Sequence, residues 1–258
     1  MTTTSGRRPL LIAHRGACAV APEHTIAAYE AAIEAGADAL ELDVHLTADD
    51  QLVVIHDGRL ERTTNGRGVV REHTARELKR LDAGRWFGRQ FRGQRIQTLP
   101  EVLERFRDRS AFGIELKGGS HFYPAIEERL LTVLQIYGVT DRTLVASFDH
   151  HALRKCRDLD ADIRLGALVV GRLLAPSALA PAGVLNALCL PAELTTAPDV
   201  GAAREAGLDC YLWVVNDPAR AREVAEWGVA GIITDRPELL RPVLDRLAPG
   251  LPGSIPGA

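Results

Sequence analysis

Leu10-Leu11-Ile12-Ala13-His14-Arg15-Gly16 is the first stretch of the chain that reads as structure. The same plan recurs at Ala39-Leu40-Glu41-Leu42-Asp43, Leu52-Val53-Val54-Ile55-His56-Asp57 and Ala111-Phe112-Gly113-Ile114-Glu115-Leu116-Lys117. Each is a short apolar run with strand character that contains or ends in ionisable groups. Side chains alternate faces along a strand, so Glu41 and Asp43 share a face, and so do Glu115 and Lys117. Three carboxylates, two histidines and two cations (Arg15 and Lys117) at strand ends predict a metal site that handles a phosphate.

Strand-like and helix-like segments alternate outward from these runs. The expected strands are Leu10 to Ala13, Ala39 to Leu46, Ala111 to Lys117, Thr143 to Phe148, Arg164 to Val170, Ala187 to Leu190, Cys210 to Val215 and Gly231 to Thr234. Helical spacing appears at Ile26, Tyr29 and Ile33, with Gly36 as a stop, and again along 99–107, 124–137 and 152–159. Asp217-Pro218 and Asp235-Arg236-Pro237 start two more, because proline fits the first turn of a helix. Eight such units in 258 residues predict an α/β fold, a (β/α)8 TIM barrel. An open doubly wound sheet is the alternative, since this pattern does not reveal strand order.

The barrel is expected as a single domain over residues 8–247, with an insertion over about 47–98. That insertion carries its own short strand Leu52 to Ile55, a turn at Thr64-Asn65-Gly66, a polar helix Thr74 to Leu81 and an aromatic cluster of Trp86, Phe87 and Phe91. After the second strand it falls at the mouth of a barrel, and we expect a cap over the substrate. Segment 171–185 predicts a short helix at most. The Pro/Gly-rich tail 248–258 is expected to be disordered.

Composition narrows the function. The chain is 46% hydrophobic and 25% charged, with a net charge of -3, which gives no support for nucleic acid or an anionic surface as a partner of the whole molecule. Cys18, Cys156, Cys189 and Cys210 are scattered without metal or redox spacing and read as free thiols of a reducing compartment. With a short apolar run near the N-terminus and no long one elsewhere, a cytoplasmic protein without stable membrane insertion is expected.

Three clustered anions raise one another's pKa unless a cation sits among them, and oxygen ligands suit Mg²⁺ or Ca²⁺. Arg15 and Lys117 are placed to hold phosphoryl oxygens. His14 and His56 suit acid/base work on either side of a phosphorus, because imidazole titrates near neutrality. Taken singly, a Glu-x-Asp in a strand or a His-Asp at a turn carries little weight. Four such pairs at successive strand ends carry much more. Trp213 and Asn216 are pocket candidates, the tryptophan equally a core one, and His45 shares the face of Glu41 and Asp43.

At these residues the chain resembles the glycerophosphodiester phosphodiesterase family. The matching strings are His14-Arg15-Gly16, Pro22-Glu23-His24-Thr25, Glu41-Leu42-Asp43-Val44, Leu46-Thr47, His56-Asp57, Arg62-Thr63-Thr64 with Gly66 and Gly68, Thr98-Leu99, Glu115-Leu116-Lys117, Ser147-Phe148, Trp213-Val214-Val215-Asn216 and Gly231-Ile232-Ile233-Thr234-Asp235. They lie in family order. The resemblance implies one divalent cation on Glu41, Asp43 and Glu115, with His14 and His56 as the catalytic pair. It implies a phosphate held by Arg15 and Lys117, with Trp213 bordering the substrate. The implied reaction is hydrolysis of a small-molecule glycerophosphodiester to sn-glycerol 3-phosphate and an alcohol. A lysophospholipase D type acting on longer lipids, or a binding protein weakened in turnover, are the alternatives. One position departs from the pattern: His24 stands where the family string has asparagine, and histidine hydrogen-bonds with a different reach.

Overall fold

The computed structural model describes residues 8–179 and 183–247; the tail expectation for 248–258 lies outside the described residues. Eight parallel strands close on themselves: β1 (Leu10–Ala13), β2 (Ala39–Leu46), β5 (Ala111–Leu116), β6 (Thr143–Ser147), β7 (Arg164–Leu168), β8 (Ala187–Pro191), β9 (Asp209–Trp213) and β10 (Gly231–Thr234). Closure comes from β1 pairing with both β10 and β2, which excludes the open sheet. Two short strands, β3 (Leu52–Val54) and β4 (Gln97–Thr98), extend β2 in antiparallel fashion, and the residues between them form a lobe beside the barrel.

Helices cover the outside: α1 (Ile26–Glu34), α3 (Leu99–Phe106), α5 (Ile126–Tyr137), α6 (His150–Leu159), α7 (Ala197–Glu205), α8 (Pro218–Glu226) and α9 (Pro237–Leu247). Two single turns, α2 (Ala75–Leu78) and α4 (Gly119–Phe122), complete the set. The polar helix expected over Thr74 to Leu81 is therefore one turn, held by a reciprocal Thr74/Glu77 capping box. Helix α6 starts two residues early because the Asp149 carboxylate accepts the backbone N–H groups of His151 and Ala152. Helix α7 has little apolar periodicity, and its start is marked instead by the Thr196/Asp199 capping box. In 171–185 the described residues hold one 3-10 turn, Pro176–Leu179.

Alternation divides each strand between two cores. Leu11, Leu40, Leu42, Val44, Phe112, Ile114 and Leu116 face the helices in the main core. Leu10, Ile12, Ala39, Leu144, Ala146, Leu168, Cys189, Tyr211 and Ile233 pack together inside the barrel. Inward positions are apolar low in the barrel and ionisable towards the C-terminal ends, as in Ala39-x-Glu41-x-Asp43 and Gly113-x-Glu115-x-Lys117. That gradient puts the charges at the mouth, where side chains of neighbouring strands converge. The lobe has a third, separate core of Val53, Ile55, Leu60, Val70, Ala75, Leu78, Ala83 and Ile96.

Candidate active site

The loop after β1 is folded tightly enough to demand special backbone. Arg15, Gly16 and His24 all have positive φ, at 56°, 85° and 55°. A Cβ on Gly16 would stand 2.7 Å from the backbone of Ala28, so only glycine fits there. The bend turns the Arg15 backbone N–H onto Glu41 Oε2 at 2.8 Å and its guanidinium Nη1 onto Glu23 Oε1 at 3.2 Å. Histidine and asparagine both tolerate the left-handed region better than most residues. The exchange at position 24 therefore respects the backbone.

His24 is buried, and both ring nitrogens are engaged. Nε2 lies 2.7 Å from Asp43 Oδ2 and Nδ1 2.9 Å from the Tyr29 hydroxyl. Burial pulls its pKa below the ordinary value, so the ring is neutral, giving Nε2–H to the carboxylate and accepting from Tyr29. His45 is arranged alike. Burial brings its pKa down to about 4, its Nε2–H donates to the His56 carbonyl at 3.0 Å, and Nδ1 accepts from Tyr123 at 2.7 Å.

The three acids behave differently from one another. Burial, then the charge of Asp43, pushes Glu41 well above the usual carboxylate range. The same two causes bring Glu115 up to about 7. Asp43 is held well below its ordinary value despite burial, by the His24 hydrogen bond and the Lys117 charge. Lys117 Nζ lies 2.9 Å from Asp43 Oδ1 and 2.6 Å from Glu115 Oε1, and so sits between them.

The two catalytic candidates share one motif. His14 Nδ1 lies 2.7 Å from Asp235 Oδ1, and His56 Nδ1 lies 2.6 Å from Asp57 Oδ1. Each carboxylate accepts Nδ1–H and leaves Nε2 as the working nitrogen. Asp235 also accepts from Cys18 Sγ at 3.0 Å and Asn216 Nδ2 at 2.6 Å. Asp57 instead takes two bonds from the Arg62 guanidinium, 2.7 and 3.0 Å, and Arg62 makes two further bonds of 2.7 Å to Glu23. A chain therefore runs His56–Asp57–Arg62–Glu23–Arg15, from the lobe back to the barrel. Both histidines line one cavity of about 140 Å³ with Arg15, Glu41, Glu115, Phe148, Tyr211 and Trp213.

A model of the glycerophosphoryl diester phosphodiesterase family matches residues 14–239. The chain belongs to this family. A glycerophosphodiester phosphodiesterase of Caldanaerobacter subterraneus subsp. tengcongensis is 41% identical over 236 residues, spanning 90% of this chain and 96% of that protein. One from Bacillus subtilis is 34% identical, over 92% of this chain and 86% of its own. Among solved structures, an Oleispira antarctica phosphodiesterase in complex with the product sn-glycerol-3-phosphate matches with a TM-score of 0.87 at 28% identity, over 92% of this chain and 97% of that one. The glycerophosphodiester phosphodiesterase of Agrobacterium tumefaciens matches at 0.80 with 32% identity, over 90% and 98%. The enzyme class read from the sequence, a phosphoric diester hydrolase, stands with the family.

The residues fit the divalent cation that the family implies. Ligand atoms of His24, Glu41 and Asp43 lie within 4.8 Å of one another. Glu41, Asp43 and Glu115 together offer the oxygen donors that a hard divalent cation takes, and burial with the charge of Asp43 raises Glu41 and Glu115, a tendency that a bound cation would oppose. Glu115 stands apart from the His24 group, on Lys117. For His24 to join as a ligand, its Nε2 would give up its proton and Nδ1–H would turn to the Tyr29 oxygen.

Several expectations need adjusting. Trp86, Phe87 and Phe91 do not line the cavity; they pack on one another, and the lobe reaches the site through His56. Trp213 does line it, with its indole N–H on the Cys189 carbonyl and its ring edge-on to Phe148. Asn216 braces Asp235 instead. Asp235, Arg62 and Glu23 carry the site's framework and lay among the family strings without an assigned role. Closure could have revealed Asp235: in any barrel the last strand meets the first, so the residue after β10 neighbours the residue after β1.

Proposed function

We propose that the chain hydrolyses glycerophosphodiesters to sn-glycerol 3-phosphate and an alcohol, with a bound divalent cation, Mg²⁺ or Ca²⁺. The observation that carries this reading is the pair of histidines, each with Nδ1 tied to a carboxylate, opening onto one cavity beside Arg15, Glu41 and Glu115. One histidine takes the proton of the attacking oxygen and the other returns a proton to the leaving alkoxide. Arg15 and Lys117 hold the non-reacting phosphoryl oxygens, and Lys117 leaves its two carboxylates to do so. Trp213 and Phe148 border the substrate's carbon skeleton. Glu41, Asp43 and Glu115, with His24, hold the cation, which when bound offsets charge on the phosphoryl group.

Small water-soluble diesters suit the cavity better than long lipids, because the aromatic trio of the lobe adds no apolar extension to it. Residues 8–247 act as one unit in this reading, with the lobe a catalytic insertion that supplies His56. Four free thiols, three of them buried, support a reducing compartment such as the cytoplasm. Among the described residues, no helix is long and apolar enough to cross a membrane. The test is release of sn-glycerol 3-phosphate from glycerophosphocholine with Mg²⁺, with Ca²⁺ and after chelation. Release that chelation abolishes supports the proposal; no release with either cation, from folded protein, refutes it.

A further inference from the structure

The lobe between β3 and β4, residues 55–96, differs in charge from the rest of the chain. It holds eleven of the 31 lysines and arginines but five of the 34 acids, a balance of +6 within a chain of -3. All eleven cations are exposed. Arg59, Arg62 and Lys79 are paired with acids, and Arg71 lies over the Phe122 ring. Arg95 donates to the Leu81 carbonyl, and the other six, Arg67, Arg76, Arg80, Arg85, Arg89 and Arg92, make no ion pair among the described residues.

Three of those six fall in Arg85-Trp86-Phe87-Gly88-Arg89-Gln90-Phe91-Arg92, where cations alternate with aromatics. Trp86 is 41% exposed, with its indole N–H on the Ala83 carbonyl at 2.9 Å, so its polar edge is satisfied from within. Phe87 meets Trp86 and Phe91 edge-on, with ring centres 5.6 and 5.4 Å away. The loop is built in advance: the Asp82 carboxylate accepts the backbone N–H groups of Gly84, Arg85 and Gly93. Its roots stand at the catalytic end. Ala83 and Ile96 share a small cavity with Glu23 and His24, and Gln94 accepts the Ala27 N–H in the first turn of α1.

We infer that this loop docks the enzyme on the surface of an anionic phospholipid bilayer. Unpaired arginines are drawn to lipid phosphates and to the negative surface potential. An exposed tryptophan settles at headgroup depth. Single-stranded nucleic acid would use the same cations but needs open ring faces for stacking, whereas these rings already engage one another. Deacylation of a diacyl phospholipid is the class of reaction that supplies a glycerophosphodiester, so docking holds the site where such substrates arise. That benefit rests on the proposed reaction; the docking does not.

The experiment is co-sedimentation of the full chain with vesicles of phosphatidylcholine alone, or of phosphatidylcholine and phosphatidylglycerol in equal parts, at low and high salt. The expected result is pelleting with the anionic vesicles alone and release by salt. Arg85→Gln, Arg89→Gln and Arg92→Gln combined should weaken partitioning on the order of 100-fold. The same variant should still turn over glycerophosphocholine at the wild-type rate. Pelleting on neither vesicle, equal pelleting on both, or a triple variant that binds like wild type would overturn the inference. Retention on single-stranded DNA with none on vesicles would overturn the choice of partner. A chain that docks without hydrolysing would sink the proposed reaction and leave the docking intact.

Discussion

His14 and His56 carry the same imidazole–carboxylate unit, yet the barrel rim and the lobe build it in different ways. At His14 the carboxylate is braced by neutral donors, Cys18 and Asn216, and barrel closure brings all of them together. At His56 it is braced by Arg62, whose side chain is 43% exposed and whose far side grips Glu23 on another loop. One unit is positioned by the sheet, the other by charge. The lesson is that the lobe's half of the site, held by half-exposed ion pairs, should respond to salt, while the rim's half, held by neutral donors, should not.

The largest effects should ignore the comparison. His14→Ala and His56→Ala each remove an acid/base group and should lower kcat on the order of 10³-fold, read with glycerophosphocholine at saturating substrate. Unequal losses here would separate the two units at once. Asp235→Asn comes next: an amide no longer stabilises the imidazolium or fixes its tautomer, and kcat should fall on the order of 10²-fold with KM little changed.

Arg62→Met breaks the lobe's unit alone and should cost roughly tenfold in kcat. It also has a signed pH consequence. Burial holds the His56 pKa below its ordinary value, against the pull of Asp43 and Asp57, while Lys117 and Arg15 add to the depression. Removing Arg62 leaves the Asp57 charge unshared, which favours imidazolium. The limb of the kcat/KM profile that belongs to His56 therefore moves to higher pH in Arg62→Met. In the wild type, raising ionic strength should reproduce part of that shift, since a half-exposed bridge is screened. An unmoved limb would remove the distinction between the two units. The smallest effect is that of His24→Asn, which suits the same backbone and keeps a side chain that both donates and accepts hydrogen bonds. We expect turnover within about threefold of wild type, whereas His24→Ala should lose about 1–3 kcal/mol of stability in urea unfolding, because Asp43 and Tyr29 lose a buried partner.

Much of this was legible in the chain, for a physical reason. Strands of a parallel barrel are buried on both faces, so they appear as apolar runs, and Glu41, Asp43 and Glu115 interrupt such runs where a charge needs a reason, while His56 ends the equally buried run of the antiparallel β3. Long-range partners were not legible. Asp235 lies 221 residues from His14, and Arg62 lies 39 from Glu23, separations over which no local pattern acts. A net charge of -3 hides the basic lobe until residues 55–96 are counted by themselves, and which of its arginines stand without an acid partner is a matter of folded geometry. The insertion's place after the second strand predicts a cap over the substrate, yet its aromatic rings pack on one another and do not line the cavity.

The central claim, two histidines acting on opposite sides of one phosphorus, is tested most directly by leaving-group rescue. Hydrolysis of glycerophosphocholine is compared with that of the p-nitrophenyl ester of glycerol phosphate, in His14→Ala and His56→Ala. A good leaving group needs no proton, so one variant should recover most of its rate on the nitrophenyl ester and the other should not. Rescue of neither variant, or of both alike, would contradict the division of labour proposed for this site.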